Sequence, residues 1–170
     1  QDGGAVGGSY TWDDGYAGLS YSTYDANYGS PAEQDVRIRM KQDHYAFASE
    51  LRNLQGPFSS LKFNAGYTDY EHREIEDGEV GTTFKNKGYE ARMEARHMPL
   101  GSLNGVVGAQ FNRNAFSALG EEAFVPHTDT TSGALFILEE FQATDRLTLS
   151  LGGRLERTVV DPDAKGNERF

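Results

Sequence analysis

The chain has 170 residues, a formal net charge of −10, only 37% hydrophobic residues and a mean hydropathy of −0.63, yet it carries 9 tyrosines, 10 phenylalanines and 20 glycines. The acidic balance excludes a nucleic-acid partner, whose phosphates require a basic footprint, and the lack of cysteine excludes a disulfide framework or a thiolate metal site. No apolar run approaches the roughly 20 residues of a membrane-spanning helix, so a polar chain rich in aromatics and glycine predicts β-strands with one wet face.

No charged-then-apolar signal segment opens the chain, and Gln1 reads as an interior cut or a processed end. Residues 3–12 (GGAVGGSYTW) form a Gly-rich, weakly patterned strand, and Asp13-Asp14-Gly15 closes a hairpin. Residues 16–26 resume the alternation, with Tyr16, Gly18, Ser20, Ser22 and Tyr24 opposite Ala17, Leu19, Tyr21 and Thr23. A polar loop at 27–34 precedes a long strand candidate from Asp35 to Leu54. There Val36, Ile38 and Met40 alternate with Arg37, Arg39 and Lys41, but Tyr45 and Phe47 fall on the other parity. That phase change predicts a β-bulge, or a strand in only one half of the segment.

Gln55-Gly56-Pro57 turns the chain into the strand LKFNAGYTDYEH, whose Leu61, Phe63, Ala65 and Tyr67 share one face. A long acidic loop, REIEDGEVGTTFKNK, is expected next. The strand GYEARMEARHM then places Tyr89, Ala91, Met93 and Ala95 on one face and Glu90, Arg92, Glu94 and Arg96 on the other. Four full charges in a row cannot form the core side of a small sandwich, because unpaired buried charge is too costly. The row must therefore face water or a wet lumen. After the turn PLGS comes the strand LNGVVGAQF, which decays into a loop from Ala115 to about Thr130. Residues 131–142 are the most apolar part of the chain and the only helical window. Gly133 and the strand-rich context favour a strand there. A last strand at 147–157 sets Leu147, Leu149, Leu151 and Leu155 against Thr148, Ser150, Gly152 and Arg154, and the tail from Val159 to Phe170 completes no strand.

Connections thus alternate: short at 13–15, 55–59, 99–102 and 143–146, long at 27–34, 72–86 and 115–130. Transmembrane β-barrels have tight turns at one membrane face and long loops at the other, whereas a soluble barrel needs no such asymmetry. The expected fold is all-β: an antiparallel up-and-down transmembrane β-barrel, of which this chain supplies about eight strands.

The runs Thr68-Asp69-Tyr70-Glu71-His72-Arg73-Glu74, Glu90-Ala91-Arg92-Met93-Glu94-Ala95-Arg96-His97 with Pro99-Leu100-Gly101, and Leu103-Asn104-Gly105-Val106-Val107-Gly108-Ala109-Gln110 resemble barrel strands of TonB-dependent outer-membrane receptors. They are most similar to the zinc-uptake subfamily, and Gly152-Gly153-Arg154-Leu155-Glu156 resembles a further strand of the family. The likeness covers residues 28–170. It implies a plugged barrel of about 22 strands, so residues 1–170 would be part of one receptor barrel, with the plug domain and the remaining strands outside it. It implies a bacterial outer-membrane location, contact with outer-membrane lipid, and import of a scarce nutrient energised by the TonB complex through the plug. No enzyme activity is expected, since no nucleophile-elbow sequence or positioned base is present. The alternatives are a complete eight-stranded structural or adhesive barrel, against which stands the unpatterned Lys165-Gly166-Asn167-Glu168-Arg169, and a soluble β-domain with calcium-binding loops.

The sharpest chemistry lies in the acidic stretch around His72, with Glu71, Glu74 and Glu76, because imidazole and carboxylate suit zinc and other divalent cations. On a strand, His72, Glu74 and Glu76 share a face. His127, near Asp129, is a second candidate on the same membrane side. The competing reading for both is solvated loop charge, and the subfamily's His-rich loop has no counterpart at 27–34, which holds no histidine. No resident cofactor is expected; zinc or another divalent metal, a metal chelate or a similar small molecule is the candidate substrate. His97, before a tight turn, is expected to be structural, and Glu90, Arg92, Glu94 and Arg96 to line the lumen.

Overall fold

The computed structural model describes residues 1–30, 35–120 and 123–162. Its elements are β1 (Asp2–Trp12), β2 (Gly15–Gly29), β3 (Val36–Leu51), β4 (Phe58–Glu76), β5 (Glu79–His97), β6 (Leu103–Gly120), β7 (Thr128–Thr144) and β8 (Leu147–Pro162). They form one eight-stranded sheet in which each strand pairs antiparallel with its sequence neighbours. The apolar stretch at 131–142 is strand, as its context predicts. Among the described residues β1 and β8 do not pair with each other, so the sheet is open, unlike a closed eight-stranded barrel.

Strict alternation sorts the side chains into two faces. Leu19, Phe47, Ala65, Ala91 and Phe111 lie in one transverse row. On the opposite face Asn64 meets Arg92, which meets Gln110. The sheet has no core of its own. Among the described residues the only buried apolar ones are Ala26, Val36, Ala95, Ala118 and Ala134, while Leu135, Leu151 and Leu155 on the apolar face remain 64–77% exposed. A single layer that leaves such leucines bare requires hydrocarbon against that face.

The membrane boundary is marked by Tyr21, Tyr45, Tyr67 and Tyr89, which stand opposite one another across β2 to β5, with ring centroids 4.9, 6.2 and 4.8 Å apart. Aromatic belts of this kind sit at the headgroup level. Beyond the tyrosines the same outward face turns charged, with Asp43, Asp69 and Lys87 and then Lys41, Glu71 and Lys85. Toward β8 the apolar edge steps down to Phe111, Leu135 and Leu155, while Arg113 stands opposite Tyr89. Strands tilted against the membrane normal produce this drift.

The boundary explains why the predicted bulge in β3 does not exist. Its register with β2 and β4 is unbroken from Val36 to Leu51. Inside the membrane the outward face is apolar (Tyr45, Phe47), and outside it the same face meets water (Arg37, Arg39, Lys41), so the pattern inverts without a backbone change. Register shifts occur instead at Phe58/Ser60, Glu74/Ile75 and Gln142/Thr144.

Strand extends into all three expected long loops, of which 31–34 and 121–122 lie outside the described residues. β2 runs to Gly29, β6 to Gly120, and β7 begins at Thr128. Val159–Pro162 belongs to β8, and residues 163–170 lie outside the described residues. The expected acidic loop is the end of the β4–β5 hairpin, turned by Asp77 and Gly78 with φ of 49° and 86°. Positive φ at both positions is the type I′ turn that Asp-Gly favours. Gly78→Ala is expected to cost about 1 kcal/mol, the penalty of a left-handed L-residue, although a Cβ there meets nothing. Denaturant unfolding in lipid vesicles checks this, and unchanged stability would contradict the turn.

Candidate functional site

Two groups of inward-facing side chains stand out, one within the membrane and one beyond the tyrosine row. Within the membrane, the predicted row Glu90, Arg92, Glu94 and Arg96 lies on the polar face of β5. Arg92 Nε donates to Glu94 Oε1 at 2.6 Å, and its Nη1 donates to Gln110 Oε1 at 3.2 Å. Arg154 Nη1 donates to the same Gln110 oxygen at 3.2 Å, and its Nη2 reaches Glu156 at 2.5 Å. The Arg92 guanidinium also lies 4.2 Å above the Phe136 ring, which crosses the space left open at Gly108. Glu90 lies against Gly66, and Lys62 opposes Glu94. Opposite charges are therefore interleaved over this polar face, which lowers the electrostatic cost of concentrating charge on it. Gln110, Phe136, Arg154 and Glu156 were not singled out from the sequence. The alternation of Arg154 and Glu156 with Leu155 was their available signal.

Beyond the tyrosine row, β4 and β5 carry His72 inward, opposite Phe84. The rings stack with centroids 4.6 Å apart, and Tyr70 Oη is 3.0 Å from His72 Nδ1. Phe116 extends the patch, 6.4 Å from Phe84. Burial among these rings holds the His72 imidazole below its ordinary range, favouring the neutral form that a metal or a hydrogen-bonding ligand requires. In the tautomer protonated at Nδ1, that N–H donates a hydrogen bond to the Tyr70 oxygen and Nε2 is left with its lone pair.

Alternation separates the predicted acidic residues. Glu74 shares the inner face with His72, opposite Thr82. Glu71 points outward, where Arg73 Nε donates to it at 2.8 Å and Lys85 Nζ lies 3.7 Å away. Glu76 follows the register shift at Glu74/Ile75 and stands opposite Glu79 at the hairpin end. His127 precedes β7, with Nε2 3.5 Å from Asp129 Oδ1. Among the described residues no three His, Asp or Glu side chains form a metal-holding group. His44, given no role from the sequence, faces inward and contacts Thr68 Oγ1 at 2.8 Å. His97 lies near the short turns, with Nε2 3.0 Å from Glu139 Oε2 and Nδ1 2.6 Å from the Met98 carbonyl oxygen.

The chain's likeness to known proteins agrees with this geometry. The family described as TonB dependent receptor-like, beta-barrel, matches residues 1–169. A solved chain described as "Copper transporter OprC" is similar, with a TM-score of 0.79 at 15% identity, over 94% of this chain and 28% of that one. This chain thus spans little more than a quarter of that protein's length, and at such identity the likeness is one of fold. An uncovered apolar face, an aromatic row, an ionic inner wall and a match over nearly the whole chain lead to one assignment: the chain belongs to the TonB-dependent receptor β-barrel family of the outer membrane.

Proposed function

We propose that residues 1–170 form part of the barrel of an outer-membrane receptor that captures a scarce nutrient at its extracellular hairpins. The nutrient then passes inward along the ionic wall, with energy delivered by the TonB complex through a plug domain. The observation that carries this reading is the inward patch of His72, Tyr70, Phe84 and Glu74 beyond the tyrosine row, at the entrance to the Arg92 and Arg154 network. A neutral imidazole beside a carboxylate suits a divalent metal or its chelate, and aromatic walls suit a chelate with a planar organic part. Similarity to a protein described as a copper transporter adds copper to zinc among the metals to test.

Isothermal titration of the full-length receptor with copper, zinc, iron and calcium, free and chelated, tests this reading. His72→Ala is expected to weaken binding of the preferred species about tenfold or more, and Glu71→Gln, on the outer face, to leave it unchanged. Equal affinity of wild type and His72→Ala for every species would remove His72 from the site.

A further inference from the structure

The tyrosine row at the membrane boundary is built of two repeated pairs. Tyr21 and Tyr45 have ring centroids 4.9 Å apart and Tyr67 and Tyr89 4.8 Å apart, each pair at an interplanar angle of 41°, whereas Tyr45 and Tyr67, between the pairs, are 6.2 Å apart. In each pair one phenol is bonded to a carboxylate. Tyr21 Oη donates to Asp43 Oδ1 at 2.6 Å, and Tyr67 Oη donates to Asp69 Oδ2 at 3.4 Å. The other member, Tyr45 or Tyr89, is the open one, 51% and 50% exposed on the lipid-facing side. A girdle that only anchors a barrel at the headgroups requires neither touching rings nor a carboxylate on alternate phenols.

Both features suit one-electron oxidation. A phenol with an ordinary pKa of about 10 keeps its proton at neutral pH, so it yields an electron readily only when that proton leaves in the same step, and a hydrogen-bonded carboxylate is placed to take it. We propose that Tyr21/Tyr45 and Tyr67/Tyr89 are two oxidation sites that trap the small, lipid-soluble oxidant nitrogen dioxide and end as dityrosine cross-links, one joining β2 to β3 and one joining β4 to β5. Nitrogen dioxide is apolar enough to reach the exposed phenol from the hydrocarbon. It takes one electron there and leaves as nitrite. The electron is replaced from the neighbouring phenol, whose O–H bond breaks with its proton passing to Asp43 or Asp69. A second nitrogen dioxide then oxidises the exposed phenol, which releases its proton to water at the headgroups. The two phenoxyl radicals join through the ring carbons beside their oxygens in a new C–C bond, and the ring hydrogens at those carbons move to the oxygens. Two phenols and two nitrogen dioxide molecules thus give one dityrosine, two nitrites and two protons. These sites face lipid and are independent of the nutrient path on the inner face.

Full-length receptor in lipid vesicles is exposed to nitrogen dioxide made by radiolysis of nitrite, and its cross-linked and nitrated peptides are counted by mass spectrometry. Wild type is expected to yield the Tyr21–Tyr45 and Tyr67–Tyr89 cross-links well above Tyr45–Tyr67, and receptor unfolded in guanidinium to lose that preference. Asp43→Asn is expected to lower the Tyr21–Tyr45 yield roughly tenfold and to leave Tyr67–Tyr89 unchanged, which also reports that the variant is folded. Tyr45→Phe is expected to abolish the first cross-link alone. A Tyr45–Tyr67 yield equal to the other two in folded wild type overturns the proposal without reference to any variant. Nitration of the four tyrosines without cross-linking, or an unchanged Tyr21–Tyr45 yield in Asp43→Asn, also overturns it.

Discussion

Ala109→Arg is expected to destabilise the barrel by about 2–4 kcal/mol, the cost of arginine on the lipid face of an outer-membrane barrel near the bilayer midplane. Ala109 lies in the middle of the apolar band, between Met93 and Leu135 in adjacent strands, and a guanidinium there has no inward route to water. Asn112→Arg, on the same strand, is the contrasting change. Asn112 faces inward opposite Glu90, so the new charge gains a partner and the expected change stays within about 1 kcal/mol. Unfolding of the full-length receptor from lipid vesicles, followed by heat-modifiable gel mobility across a guanidinium series, measures both. Equal costs for the two variants would overturn the assignment of the faces.

Gly108→Val is expected to cost about 2–3 kcal/mol through overpacking on the inner face. A Cβ at this position would occupy the space of the Phe136 ring edge and the Met93 carbonyl oxygen. The backbone oxygen cannot move without disturbing the β5–β6 ladder, so Phe136 must leave, and with it the Arg92 guanidinium that lies 4.2 Å above the ring. Loss of that contact adds about 0.5–1 kcal/mol. Phe136→Ala alone is expected to destabilise by a smaller amount, and Gly108→Val/Phe136→Ala to be more stable than the sum of the single changes, because the second substitution vacates the space the first requires. Strict additivity would show that Gly108 and Phe136 do not share that space.

Much of this was legible in the chain. The Leu61/Phe63/Ala65/Tyr67 and Glu90/Arg92/Glu94/Arg96 alternations mark β4 and β5 with their faces, because strand period is a local property. Similarity along residues 28–170 points to the family from residue order alone. The hairpin tip was also present in the sequence: Asp77-Gly78 is a strong two-residue turn signal. The density of acids around it favoured a loop, because water on both sides of an extramembrane hairpin removes the apolar alternation by which strands are recognised.

The candidate site was legible in its members and not in their arrangement. His72 and Glu71 are adjacent in sequence, yet alternation sends them to opposite faces, and the bond between Glu71 and Arg73 is an outer-face contact. His72's actual neighbours include Phe84, brought against it by β4–β5 pairing. Gln110 and Arg154, 44 positions apart, meet only because β6, β7 and β8 lie side by side.

The sequence by itself determined the strand class, the two-faced alternation, the acidic charge and the resemblance to an outer-membrane receptor, all of which depend on residue order over short distances. Tertiary structure decided which rows those faces form, where the tyrosines place the membrane edge, and that β3 crosses that edge without a bulge. It also decided which charges neutralise one another and that the tyrosines of the boundary row meet in pairs. Those outcomes depend on inter-strand register and on the change from hydrocarbon to water along a strand, and a period-two pattern carries neither.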